Sequence, residues 1–108
     1  MPKLAIWAQL NAKPGKESEV EKFLRSAQPL AERETETVTW YAVRMAPGSY
    51  GIFDTFADDS GRNAHLTGDI AKALFARAEE LFAKPPEVHK LDVLAAKVPG
   101  IKVLHADA

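Results

Sequence analysis

Residues 50–74 read YGIFDTFADDSGRNAHLTGDIAKAL, and this stretch decides the fold. Tyr50 to Ala57 reads as a strand of mixed aromatic and acidic residues. Asp58 and Asp59 follow as candidate N-caps for a short helix running to Leu66. Thr67 and Gly68 interrupt that helix, and Asp69 is placed to cap the next one. Ile70, Ala71, Leu74, Phe75, Ala78, Leu81 and Phe82 then recur at helical spacing until Pro85 and Pro86 stop them.

Working back from Tyr50, Ala46 to Ser49 (APGS) reads as a turn, and Thr37 to Met45 (TVTWYAVRM) as a strand rich in β-branched and aromatic residues. The two strands form a hairpin. A four-residue loop would pair Met45 with Tyr50, Val43 with Ile52 and Tyr41 with Asp54. Thr39, Tyr41, Val43, Ile52, Asp54 and Phe56 would then share one face. Trp40, Ala42, Arg44, Gly51, Phe53 and Thr55 would share the other. The pairing is conditional, because a shift of one residue reverses it.

Further upstream, Leu4, Ile6, Ala8 and Leu10 alternate with Ala5, Trp7, Gln9 and Asn11, which predicts a first strand. Lys13-Pro14-Gly15-Lys16 is a turn and lacks the residues of a phosphate-binding loop. From Glu17, apolar residues Val20, Phe23, Leu24, Ala27 and Leu30 mark one face of an amphipathic helix. Pro29 predicts its end between Gln28 and Ala31, with Glu32 to Glu36 as a polar connector. Val88 to Val98 reads as the last strand, and residues 99–108 as a tail after a domain spanning 1–98.

The order β-α-β-β-α-β predicts an α+β fold, a ferredoxin-like sandwich with helices on one side of a four-stranded antiparallel sheet. The other side of the sheet would then carry Trp7 and, in the pairing above, Trp40 and Phe53. An uncovered apolar face predicts a homodimer joined sheet to sheet.

Composition bounds the function. The chain has 108 residues, 46% of them hydrophobic and 27% charged, with a net charge of −1, as expected of one globular domain. A monomer of this size buries roughly 65% of its unfolded surface, a core with little reserve. No basic stripe points to nucleic acid. There are no cysteines, which excludes disulfides, thiolate nucleophiles and Cys-ligated metal. The apolar run from Leu4 to Leu10 is too short for a signal peptide or membrane span, so a cytoplasmic location is expected, with no membrane partner.

Three segments carry a resemblance: KPGKESEVEKFL at 13–24, TWYAVR at 39–44 and PGSYGIFDTFADDSGRNAHLTGDIAKAL at 47–74. The chain resembles the antibiotic biosynthesis monooxygenase-like superfamily of dimeric α/β barrels. The superfamily's strand motif stands here as Phe53-Asp54-Thr55-Phe56, and its helix histidine as His65. The resemblance implies a homodimer with a pocket in each subunit between sheet and helices. Its relatives include cofactor-independent oxygenases of phenolic or quinol-type aromatics, haem-degrading enzymes, and proteins of no known activity. The haem-degrading set of Asn, Trp and His would fall on Ala8, Phe56 and His65, of which the His alone matches.

His65 is the sharpest candidate for chemistry. An imidazole titrates near neutrality and suits a general base, whereas no second His at i+3 or i+4 supports a metal. Its bland reading is a packed histidine that hydrogen-bonds a neighbour. Asp54 sits mid-strand, where Asp is disfavoured, and would orient His65 or the substrate, or pair with a cation such as Arg44 or Arg62. Tyr41, Phe56 and Phe75 are candidate walls for a flat aromatic ligand, or plain core. Trp7 and Trp40 are expected at the dimer interface. Arg62 reads as a solvated helix residue that could instead hold an anion. His89 and His105 have no sequence link to His65. The expectation is a monooxygenase that needs no cofactor and acts on a small aromatic or quinol-type substrate. The alternative is a non-catalytic ligand-binding or stress-associated protein on the same scaffold.

Overall fold

The computed structural model describes residues 2–99, so the expected tail lies outside the described residues except for Pro99. The elements are β1 (Leu4–Asn11), α1 (Glu17–Arg33), β2 (Thr37–Ala46), β3 (Ser49–Phe56), α2 (Asp59–Leu66), α3 (Asp69–Ala76), α4 (Ala78–Leu81) and β4 (Glu87–Asp92). The strands form one antiparallel sheet in the order β2-β3-β1-β4. This is the ferredoxin-like α+β fold.

The boundaries differ from expectation where tertiary packing or a cap intervenes. α1 runs through Pro29 to Arg33. Pro29 forfeits one helical hydrogen bond, yet Ala31 lies in a buried cluster with Ala27 and Ile70, against which Leu30 and Trp40 pack. Asp58 caps α2 by accepting from the Gly61 N–H at 3.0 Å, as predicted. Gly68, not Asp69, is the N-cap of α3, and the long second helix breaks at Arg77 into α3 and α4. β4 ends at Asp92, short of the expected Val98.

The core lies between the sheet and α1, α3 and α4. Ala8 and Leu10 of β1 and Tyr50 and Ile52 of β3 meet Val20, Phe23 and Leu24 of α1, together with Leu74, Leu81 and Phe82. Leu10, Val20 and Leu81 are completely buried. Removing such side chains from water is the main stabilising term.

The hairpin corrects the predicted pairing. Ala46 pairs with Ser49 around a tight turn at Pro47-Gly48, where Gly48 adopts a φ of 79° that favours glycine. Met45 is then skipped by the ladder, and Arg44 pairs with Tyr50, Ala42 with Ile52, Tyr41 with Phe53 and Trp40 with Asp54. This β-bulge inverts the faces expected for β2. Trp40, Ala42 and Arg44 share the helix side with Tyr50, Ile52 and Asp54. Tyr41 and Val43 share the open side with Gly51 and Phe53. Trp40 therefore leaves the expected interface and packs against the core, while Trp7 stays on the open side.

Candidate functional site

Asp54 enters the site from the middle of β3, pointing to the helix side between Ile52 and Phe56, and is fully buried. His65 comes from the last turn of α2 and is 9% exposed. Its ring packs on Phe56 at a centroid distance of 5.3 Å and a tilt of 43°. Nε2 of His65 lies 2.8 Å from Oδ2 of Asp54. That contact is short but poorly aligned, and neither Asp54 oxygen has a well-formed hydrogen bond among the described residues.

The other ring nitrogen meets a residue that sequence reasoning missed. Nδ1 donates to Oε1 of Glu34 at 2.6 Å, and the Thr37 hydroxyl donates to the same oxygen at 2.7 Å. Glu34 is the residue that ends α1, its N–H bonded to the Ala31 carbonyl. It lies 31 residues before His65, so no local pattern links them. One signal was available. A carboxylate at a helix C-terminus opposes the helix dipole, and such a violation asks for a compensating cation.

A histidine held by two carboxylates does not behave as a free base. Burial alone would lower its pKa, but the contacts with Asp54 and then Glu34 outweigh burial and raise it to about 9. A pKa of about 9 favours the imidazolium at neutral pH, with Nδ1–H bonded to Glu34 and Nε2 lying close to Asp54. Burial pushes the Asp54 carboxyl above its ordinary value, against the pull of His65. Among the described residues no group of three or more His, Cys, Asp or Glu side chains is arranged to hold a metal ion.

Three cavities lie along α1; the two smaller ones border Glu34, one of these also borders His65, and Asp54 borders none of the three. The largest, 460 Å³, is a groove between α1 and β2 lined by Trp40, Tyr41, Tyr50, Leu24, Glu21 and Arg44, among others. In it the Tyr50 hydroxyl donates to Oε2 of Glu21 at 2.7 Å, and Arg44 reaches the same oxygen at 3.1 Å. The Tyr50 hydrogen bond, aided by Arg44, holds the Glu21 carboxyl below its usual range, whereas burial and Glu21 push Tyr50 up. A second cavity of 310 Å³ is bordered by His65, Glu34, Thr37, Gly61 and Gly68, and its remaining lining is largely polar. A third of 250 Å³ lies between them, bounded by Gln28, Ala31, Glu34, Thr37 and Trp40.

The predicted residues thus divide. Asp54, His65 and Phe56 come together, with Phe56 fully buried beneath the ring. Tyr41 is on the opposite face from Asp54, 56% exposed, at the rim of the large groove. Phe75, 53% exposed on α3, borders none of these cavities. Arg62 is less solvated than expected: it reaches the Leu91 carbonyl and Asp59, and its Nε is buried.

A crystal structure of a protein of unknown function from Nitrosomonas europaea is 49% identical, covers 93% of this chain and 97% of its own, and superposes with a TM-score of 0.91. The chain belongs to the family of that protein. Two candidate antibiotic biosynthesis monooxygenases share the fold. One, from Caulobacter crescentus, is 23% identical with a TM-score of 0.74 over 87% of this chain and 92% of its own. The other, from Nitrosomonas europaea, is 12% identical with a TM-score of 0.76 over 85% and 99%. No family model and no curated protein matches the chain. These two likenesses concern the fold alone. No described helix is long and apolar enough to cross a membrane.

Proposed function

We propose that the protein is a small monooxygenase that needs no cofactor and binds a flat aromatic or quinol-type molecule in the groove between α1 and β2. The observation that carries this reading is the groove itself. It has 460 Å³ of space, aromatic surfaces from Trp40 and Tyr50 with Tyr41 at the rim, and polar groups at Glu21 and Arg44. A small cavity with aromatic walls and a few placed polar groups suits a planar ring bearing hydroxyls. With a hydroxyanthrone, the ring CH₂ becomes C=O with one oxygen atom from dioxygen, and its two hydrogens leave with the other oxygen as water. The substrate supplies the electrons, and the protein positions it and excludes water.

Oxygen uptake with a panel of quinols and hydroxyanthrones tests the reading. Turnover that falls at least tenfold in Trp40→Ala, with the fold retained, supports it. Binding without oxygen uptake would favour the second reading, a ligand-binding or stress-associated protein. That reading draws on His65, whose carboxylate neighbours raise its pKa to about 9 and so disfavour the neutral imidazole that could take a substrate proton at neutral pH.

We also infer a homodimer through the open sheet face. Trp7, Tyr41, Val43, Phe53 and Leu91 lie on that face, and Tyr41, Val43 and Leu91 are exposed. An apolar surface of this kind is stabilised by a second copy.

A further inference from the structure

The three cavities adjoin one another in series along a seam. The 460 and 250 Å³ cavities share Gln28 and Trp40 as a wall, and the 250 and 310 Å³ cavities share Glu34 and Thr37. The seam runs along α1 from Glu21 and Tyr50 to His65. A ligand lying in it needs a polar partner, and most of the ionisable groups along it are already engaged. Glu21 takes hydrogen bonds from Tyr50 and Arg44 and lies 3.7 Å from Arg25. Asp54 is sealed from solvent, and both nitrogens of His65 face carboxylates.

Glu34 is different. Its Oε1 takes both the His65 and Thr37 protons, while Oε2 has no hydrogen-bond partner among the described residues. Its side chain keeps 19% of its surface exposed and borders two of the cavities. We propose that Oε2 of Glu34 is the polar anchor of the ligand site, accepting a hydrogen bond from a hydroxyl or amine at one end of an aromatic ligand lying along the α1–β2 seam, with His65 and Asp54 behind it as positioning residues. This rests on the groove being an aromatic-ligand site.

The chemistry sets a selection rule. Oε1 is fixed by two donors, so Oε2 has a defined position and only acceptor capacity. A hydroxyl end gains a charge-assisted bond. An ether or carboxylate end leaves the acceptor unpaired or meets like charge, and is disfavoured. Arg33 beside the same cavity offers a cation, but Glu36 and Asp69 line it too, so its surroundings stay acidic.

Calorimetric titration of the full chain with 1-naphthol and with 1-methoxynaphthalene tests this. The wild type should prefer the naphthol by about tenfold, the worth of one charge-assisted bond over none. Glu34→Gln should bring the ratio near one. His65→Gln should shrink the preference while leaving affinity for the ether unchanged, which a merely structural role would not do. Nitrogen-15 spectra of His65 in the wild type give a reading independent of variant folding: Nδ1 should shift with the naphthol and not with the ether. Equal binding of both probes with Nδ1 unmoved, or a preference that survives Glu34→Gln, overturns the anchor and leaves the groove standing. If neither probe binds, the groove reading falls and the anchor with it.

Discussion

Trp7 lies across Gly51 on the open face of the sheet. A Cβ built on Gly51 would come within 2.1 Å of the Trp7 ring, so the glycine is the space in which the indole sits. The two strands place Phe53 opposite Trp7 and Gly51 opposite Gln9, which leaves the Gly51 position bare for the ring to cover. Glycine inside a strand marks such a close approach.

Gly51→Ala should therefore destabilise the protein by about 1–3 kcal/mol through overpacking. Denaturant unfolding measures the loss. Trp7→Leu in the same chain should recover most of it, because the smaller side chain vacates the contested space. Simple additivity of the two losses would show that the contact is not the cause.

The same indole carries a prediction about assembly. Sedimentation at micromolar concentration should give about twice the chain mass, and Trp7→Glu should shift the protein toward monomer by placing an unpaired charge in the contact. A wild type that stays at 11.8 kDa would end the dimer reading.

Stability should depend on pH through His65. Its folded pKa, about 9, lies above the ordinary 6.5. Between these values the folded state holds a proton that the unfolded state has lost, so stability falls as pH rises. The contribution is complete below pH 6.5 and gone above about pH 9. After discounting for solvent on the Glu34 side, it is on the order of 2 kcal/mol. Asp54, with its pKa raised, also favours acid, because its benefit is lost as pH rises through the folded value. Unfolding free energies at pH 7 and pH 10 should differ in the wild type and converge in His65→Gln. A wild type with no decline across this range would mean that the imidazolium is not held by its carboxylates.

The rate profile separates roles that structure alone leaves mixed. Were His65 the base, kcat/KM would rise with pH along a limb near 9, the pKa of the free enzyme's imidazole. With His65 as a positioning cation, activity should instead be at its plateau at neutral pH and decline above 9 as the cation is lost. The direction of change through the measured His65 pKa decides between them.

Much of the fold was legible because its signals are local. Leu4 to Leu10 alternates, Val20 to Leu30 follows a helical stripe, and Asp58 caps where an N-cap was expected. The hairpin faces were not legible, since β2 offers apolar residues on both sides and nothing near Met45 announces a bulge. Asp54 was found because it breaks the preference of a strand, and His65 because its imidazole titrates near neutrality and matches the helix histidine of the resemblance. Glu34 was not, because its value comes from a helix end meeting another helix in space. Tyr41 and Phe75 were chosen for ring chemistry alone, and exposure rather than type separates them from Trp40 and Tyr50.

The bulge at Met45 also bears on how the hairpin finds its partners. A two-residue turn followed by an uninterrupted ladder would set Met45 opposite Tyr50, and Tyr41 opposite Asp54. That slipped register places Tyr41 and Val43 where Trp40 and Ala42 belong, and its pattern of greasy side chains is nearly as good. What opposes it is Arg44, which would lose Glu21, and Trp40, which would lose its bed in the core. Deleting Met45 makes the uninterrupted ladder and the native partners coincide from Thr39 to Arg44, so the shortened chain has no such decoy to escape there. Stopped-flow refolding of the deletion beside the wild type would expose any decoy as a slow phase present only in the longer chain.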